Sequence, residues 1–136
     1  MNILVIDAQG GGIGKQLVTA IKKNVENAYI TAIGTNYLAT SAMLKAGADQ
    51  AATGENAIIV NSRKADVIVG PIGMVIADSL LGEITPAMAT AIGQSDAKRI
   101  LIPLNHCNNV VVGVPDLNIG RLIQGVVEEL NRTTCN

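Results

Sequence analysis

Residues 7–15 read Asp7-Ala8-Gln9-Gly10-Gly11-Gly12-Ile13-Gly14-Lys15, with four glycines in five positions. Glycines bring no side-chain chemistry. They bring backbone, because without Cβ atoms a ligand can touch the main chain directly. If a strand runs through them into a helix, the first helical N–H groups are unpaired and aimed at one spot. The helix dipole adds partial positive charge there and Lys15 adds a full one. That is the chemistry of an anion site, and the usual anion is a phosphate. The opposing reading is a glycine turn that only lets the helix lie close on its strand. Asp7 ends the strand beside this loop. Its carboxylate can bind magnesium, accept a ribose hydroxyl, or accept the loop's own N–H groups. The last is favoured, because free N–H groups are abundant there.

Few other residues offer chemistry. Glu83 lies in the break between Gly82 and Thr85-Pro86, where no helix dipole accounts for it. It is the first candidate for a general acid or base, with Asp7 behind it. A dinucleotide site usually places an acid roughly 20 residues past the glycines, on the ribose. Here Gly34-Thr35-Asn36 stands instead, so Asn36 either takes that hydroxyl or caps the following helix. Gly70-Pro71-Ile72-Gly73 is a second loop at a strand end, and Asn105 ends another. The single His106 and its neighbour Cys107 read as an asparagine-rich turn. With one histidine and two cysteines, no zinc site is expected.

Three phosphate motifs overlap the loop, and each misses by a residue. The dinucleotide spacing G-x-G-x-x-G fits Gly11 and Gly14 but meets Gln9 first. The short-chain-dehydrogenase spacing fits Gly12 and Gly14 but meets Ala8. The triphosphatase loop fits Gly14 and Lys15 but has Gln16 where the magnesium-holding hydroxyl belongs, so ATP hydrolysis is not expected.

These residues need elements to hold them. Residues 3–6 form an apolar run, read as a strand buried on both faces. Ile13, Leu17, Val18, Ile21 and Val25 form the stripe of a helix. A strand at 29–34, a helix running to Gly47, a weak strand at 50–52 and a helix capped by Thr53 follow. A second buried strand covers 66–70. An apolar helix is expected over 74–81, and another begins at Thr85-Pro86. A strand over 100–104 turns back into a final strand over 110–114, antiparallel because the link is too short for a crossover. Ile119, Leu122, Ile123, Val126 and Leu130 mark the last helix. This alternation predicts one domain, a three-layer Rossmann-like α/β sandwich with a mostly parallel sheet and an antiparallel C-terminal hairpin. The ligand belongs where strand order reverses, between the strands ending at Asp7 and Gly70.

Composition narrows the partners. The chain has 136 residues, a net charge of −1, 15% charged residues, two tyrosines and no phenylalanine or tryptophan. Nucleic acid, which needs basic stripes or ring platforms, is not expected. The 49% hydrophobic content has no membrane-length run. It suggests a homo-oligomer with residues 74–92 as the interface. Cys107 and Cys135 are expected as free thiols, and no leader is apparent, so a cytoplasmic protein is expected.

Asp7-Ala-Gln-Gly-Gly-Gly-Ile-Gly-Lys15, Thr53-Gly-Glu-Asn-Ala57, Gly70-Pro-Ile-Gly73, Gly82-Glu-Ile-Thr-Pro-Ala-Met-Ala89 and Ile102-Pro-Leu-Asn105 resemble a small bacterial family known only as a domain of unknown function. The resemblance implies a Rossmann-like fold and no activity. Ala65-Asp-Val-Ile-Val-Gly-Pro71 with Ser95-Asp-Ala-Lys-Arg-Ile-Leu-Ile-Pro-Leu-Asn105 is also similar to the 2-phospho-lactate transferase and gluconeogenesis-factor superfamily. That resemblance implies a nucleotide diphosphate on the glycine loop.

The sequence therefore predicts a nucleotide-type ligand, NAD(P) or another nucleotide diphosphate, held by Gly10, Gly11, Gly12, Ile13, Gly14 and Lys15. Asn36, Gly70, Pro71, Gly73 and Asn105 are expected around it. The alternative is a non-catalytic oligomeric or regulatory protein.

Overall fold

The computed structural model describes residues 1–104, 109–114 and 118–134. Five strands, β1 (Asn2–Asp7), β2 (Tyr29–Gly34), β3 (Gln50–Thr53), β4 (Val67–Pro71) and β5 (Lys98–Ile102), form one sheet in the order β3-β2-β1-β4-β5. Every neighbouring pair is parallel. Alternate residues of β1 face opposite sides, as a pleated strand requires. Ile3 and Val5 meet α1 (Gly12–Asn24), α2 (Tyr37–Lys45) and α5 (Ile119–Thr134), whereas Leu4 and Ile6 meet α3 (Glu55–Ser62) and α4 (Pro86–Gln94). The result is the three-layer Rossmann-like sandwich.

Helix ends follow local chemistry. The Asn36 side chain accepts the Ala39 N–H and starts α2. Thr85 accepts the Met88 N–H and starts α4, with Pro86 as its first residue. At α3 the cap differs from expectation. Gly54 holds that position at φ 102° without a side-chain bond. The Thr53 hydroxyl instead pairs with that of Thr40 at 2.7 Å, tying β3 to α2.

Two expected elements are absent. Residues 110–114 form no strand. Val110 and Val112 are 87% and 93% exposed, and the Val114 N–H closes a turn on the Val111 carbonyl. The cause lies upstream, because β5 begins at Lys98 and ends at Ile102, earlier than 100–104. Leu104 has already left the sheet, its N–H turned onto the Ile102 carbonyl, so no hairpin register can start there. The expected helix over 74–81 is replaced by one 3-10 turn (Ile72–Val75) and an irregular strap. Asp78, Leu80 and Leu81 take positive φ within that strap, which ends helical geometry. Its anchors are tertiary: Leu80 and Ile84 are buried, and the Asp78 N–H bonds the Ile84 carbonyl at 2.7 Å.

The strap also explains the apolar content of residues 74–92. Met74, Leu80, Ile84, Met88, Ala89 and Ile92 all belong to this chain's own core, and Leu81 is the large apolar residue left in water, 95% exposed. The hydrophobicity expected to form a subunit interface is used within the fold. No helix among the described residues is long and apolar enough to cross a membrane.

Candidate functional site

β1 and β4 are neighbours from which the chain leaves in opposite directions, β2 and β3 to one side and β5 to the other. At their carboxyl ends lies a cavity of about 300 Å3. Its floor and rim are the loop from Asp7 to Ile13, with Gln16 one helical turn on; Pro71, Leu80, Leu104 and Ile119 form an apolar wall. A larger groove of about 520 Å3 runs between α3 and α4, past Ile59, Arg63, Ala87 and Thr90. It lies on helix surfaces, away from the strand ends and from any uncapped helix start.

The four glycines divide into two pairs. A Cβ on Gly14 would stand 2.5 Å from Met43 Sδ and 2.9 Å from Asp7 Cβ. One on Gly11, at φ 74°, would stand 2.7 Å from the Ala39 Cα. These two glycines exist so that α1 can lie against α2 and β1. At Gly10 and Gly12 an added Cβ meets nothing within 4 Å, and neither has positive φ. Their openness faces the cavity. Close packing and open space thus share one loop.

Backbone donors divide the same way. The Gly11 N–H bonds the Ala8 carbonyl at 3.1 Å. The Gly14 and Ala8 N–H groups donate to the two oxygens of Asp7, at 2.6 and 2.8 Å. The N–H groups of Gly10, Gly12 and Ile13 have no partner among the described residues, and all three residues line the cavity. Gly12 and Ile13 open a thirteen-residue helix and carry the positive end of its dipole, with Gly10 just before its cap.

Asp7 is 6% exposed. Burial pushes its carboxyl above the ordinary range; the Gly14 and Ala8 N–H groups pull it back only partly, and the charge of Glu83 adds to the rise. Glu83 reaches over from the strap to the tips of β1 and β2. Its Oε1 accepts the Asn36 amide at 2.7 Å and the Thr35 hydroxyl at 2.8 Å. Both carboxylate oxygens lie 3.1 Å from the Gln9 nitrogen. Burial alone would raise Glu83, but the bonds from Asn36, Thr35 and Gln9 outweigh it and hold the group below its usual value.

Of the residues expected at a site, Asp7, Gly10, Gly11, Gly12, Ile13 and Pro71 line the cavity. Gly14 is beneath the loop. Lys15 is exposed on α1 and outside the lining, because one step along a helix turns a side chain by about 100°. Asn36 is spent on Ala39, Glu83 and the Gln9 carbonyl. Gly70 is where β4 meets β1, since a Cβ there would stand 2.6 Å from the Ile6 carbonyl oxygen. Gly73 carries the strap, its carbonyl accepting the Ser79 hydroxyl. Asn105, His106, Cys107 and Cys135 lie outside the described residues. Among the described residues no three His, Cys, Asp or Glu side chains could hold a metal.

The sequence treated Gln9 and Gln16 only as departures from motifs, yet both line the cavity. For Gln16 a signal existed: it is four residues after Gly12, hence on the same helix face. Leu80, Leu104 and Ile119 carry no local signal; only the fold brings them to this wall.

A family model described as "Domain of unknown function (DUF3842)" matches residues 2–135. The match supports the first resemblance drawn from the sequence, at the level of an unknown-function domain, and gives nothing for the second. No curated protein matches the chain. Among solved structures, the chain is similar to a dodecameric FMN-dependent UbiX-like decarboxylase from Escherichia coli O157:H7. Identity is 13% and the TM-score 0.44, over 100% of this chain and 95% of that one.

Proposed function

The chain belongs to the DUF3842 family, and we propose that it binds a phosphate-bearing, nucleotide-type small molecule at the turn formed by Gly10, Gly12 and Ile13. One observation carries the reading. Three residues that line a cavity at the point where strand order reverses have N–H groups without a partner among the described residues. Two of the three are glycines at which a side chain would meet nothing, which leaves room for an anion.

Magnitudes favour a nucleotide over bare phosphate. Bonds to a charged group contribute about 1.5–3 kcal/mol each, so three give about 4.5–9 kcal/mol. Association costs about 4–15 kcal/mol in lost freedom. Phosphate alone therefore binds weakly, and the surplus must come from apolar contact. Ile13, Pro71, Leu80, Leu104 and Ile119 provide that contact for a ring. The cavity's size lies at the lower end of the range of about 300–1,000 Å3 for small-molecule sites, which suits one nucleotide unit. The proposal is of binding, with no turnover assigned.

Calorimetry with a panel of nucleotides tests it. A nucleotide should bind well above inorganic phosphate, and Gly12→Val should remove that binding with the fold intact. Val fills the cavity mouth from a position that tolerates a side chain. Binding that survives in a folded Gly12→Val protein would place the ligand elsewhere.

A further inference from the structure

We propose that Glu83 is a selectivity plug that restricts the cavity to ligands with a single nucleotide unit. The inference rests on the reading of the Gly10, Gly12 and Ile13 turn as a phosphate site. In a sheet of this order a dinucleotide lies across the reversal point, its pyrophosphate on the glycine loop and one ribose at the tip of the second strand. The donors at that tip are the Thr35 hydroxyl and the Asn36 amide, with the Gln9 N–H beside them. All three already donate to one carboxylate, that of Glu83. Asn36 is also tied to the Gln9 carbonyl at 2.9 Å. Neither Thr35, Asn36 nor Glu83 lines the cavity, which opens instead toward Pro71, Leu80 and Leu104. One half of a dinucleotide site is thus closed from within, and the other half is open.

The strap supports the same role. Asp78, Leu80 and Leu81 adopt left-handed backbone at φ 65°, 54° and 57°, conformations that persist only where surrounding structure enforces them. They bring Leu80 to the cavity wall and Glu83 to the strand tips together. The plug comes from the β4 side of the sheet, although the site it closes belongs to β2. An acid that serves a ribose leaves its oxygens to the ligand's hydroxyls, whereas the Glu83 carboxylate is turned onto the chain's own Thr35, Asn36 and Gln9 donors. A second nucleotide would have to displace it from all three, so the closure discriminates by costing the wrong ligand its partners.

The test compares mononucleotides with the dinucleotides that contain them: AMP, nicotinamide mononucleotide and FMN against NAD and FAD. With wild-type protein, the best-binding mononucleotide should bind at least about tenfold more tightly than its dinucleotide. In Glu83→Ala that gap should close, while mononucleotide affinity stays within about threefold, showing an intact site. A dinucleotide that binds wild type as tightly as its mononucleotide would overturn the plug and leave the phosphate site standing, and this comparison needs no variant. An unchanged gap in a Glu83→Ala protein that still binds the mononucleotide would overturn it too. No mononucleotide binding to wild type at all would remove the phosphate reading, and the plug with it.

Discussion

Gly11 and Gly12 are adjacent, and their replacement by alanine should have opposite effects. At Gly11 the new Cβ would stand 2.7 Å from the Ala39 Cα and 3.1 Å from its carbonyl oxygen, at φ 74°. Left-handed backbone costs an alanine about 1–2 kcal/mol. Overpacking costs about 1–3 kcal/mol, and here the obstacle is helix backbone, which cannot rotate away as a side chain can. Gly11→Ala should therefore lose about 2–5 kcal/mol. At Gly12 the Cβ meets nothing within 4 Å and φ is helical. Its replacement chiefly restricts the unfolded chain and should gain about 0.4–1 kcal/mol. Urea denaturation measures both. With a slope near 2 kcal/mol/M, the Gly11→Ala midpoint should fall by about 1 M or more, at an unchanged slope. If the two variants agree within about 0.5 kcal/mol, the usual scatter of neutral substitutions, the division of this loop into packing and open glycines is wrong.

Lys15→Ala should change nucleotide affinity by less than about threefold, because an exposed charge outside the cavity acts only through screened solvent; a larger loss in calorimetry would bring Lys15 onto the ligand. Asp7 has a raised folded pKa, so its stabilising share is complete below the ordinary 3.8 and is lost as pH rises through the folded value. The stability of wild type relative to Asp7→Asn, read by urea titration at several pH values, should decline from acid toward neutral. Glu83, held below its ordinary 4.5, has the opposite sign. Its contribution is present above 4.5 and lost as pH falls, so wild type relative to Glu83→Gln should weaken toward acid. Glu129 accepts from Lys98 and Arg132 and titrates at about 2 rather than 4.5. Its pairing should support stability above 4.5 and lose that effect toward pH 2; Glu129→Gln should remove the dependence, and salt should weaken it.

Much of the fold is local and was therefore legible. The apolar runs of β1 and β4, the stripe of α1, the Asn36 and Thr85 caps and the Pro86 start each depend on residues within a turn or two. The glycine loop was legible for the same reason, since strand, glycines and helix follow one another directly. The sequence pattern also placed the strand reversal between the chain segments ending at Asp7 and Gly70. What sequence could not assign was the work of each glycine. Gly11 and Gly14 are set by Ala39 and Met43, some 28 residues away, whereas Gly10 and Gly12 are set by the absence of neighbours.

The strap shows the limit most plainly. Residues 74–81 have helix-compatible composition, and no local rule predicts three left-handed residues among them. Their conformation is imposed by Leu80 and Ile84 in the core and by Glu83 on the tips of β1 and β2. The final valines erred in the same direction: their β propensity is real, but a strand also needs an edge in register, and β5 ends too early to supply one. Sequence alone fixed which segment holds the backbone donors, because hydrogen-bonding capacity at a helix start is a local property. Tertiary structure alone decided which donors keep no partner among the described residues, where the cavity lies, and that Glu83 takes up the donors at the tips of β1 and β2, because those depend on residues that meet only when distant strands pair.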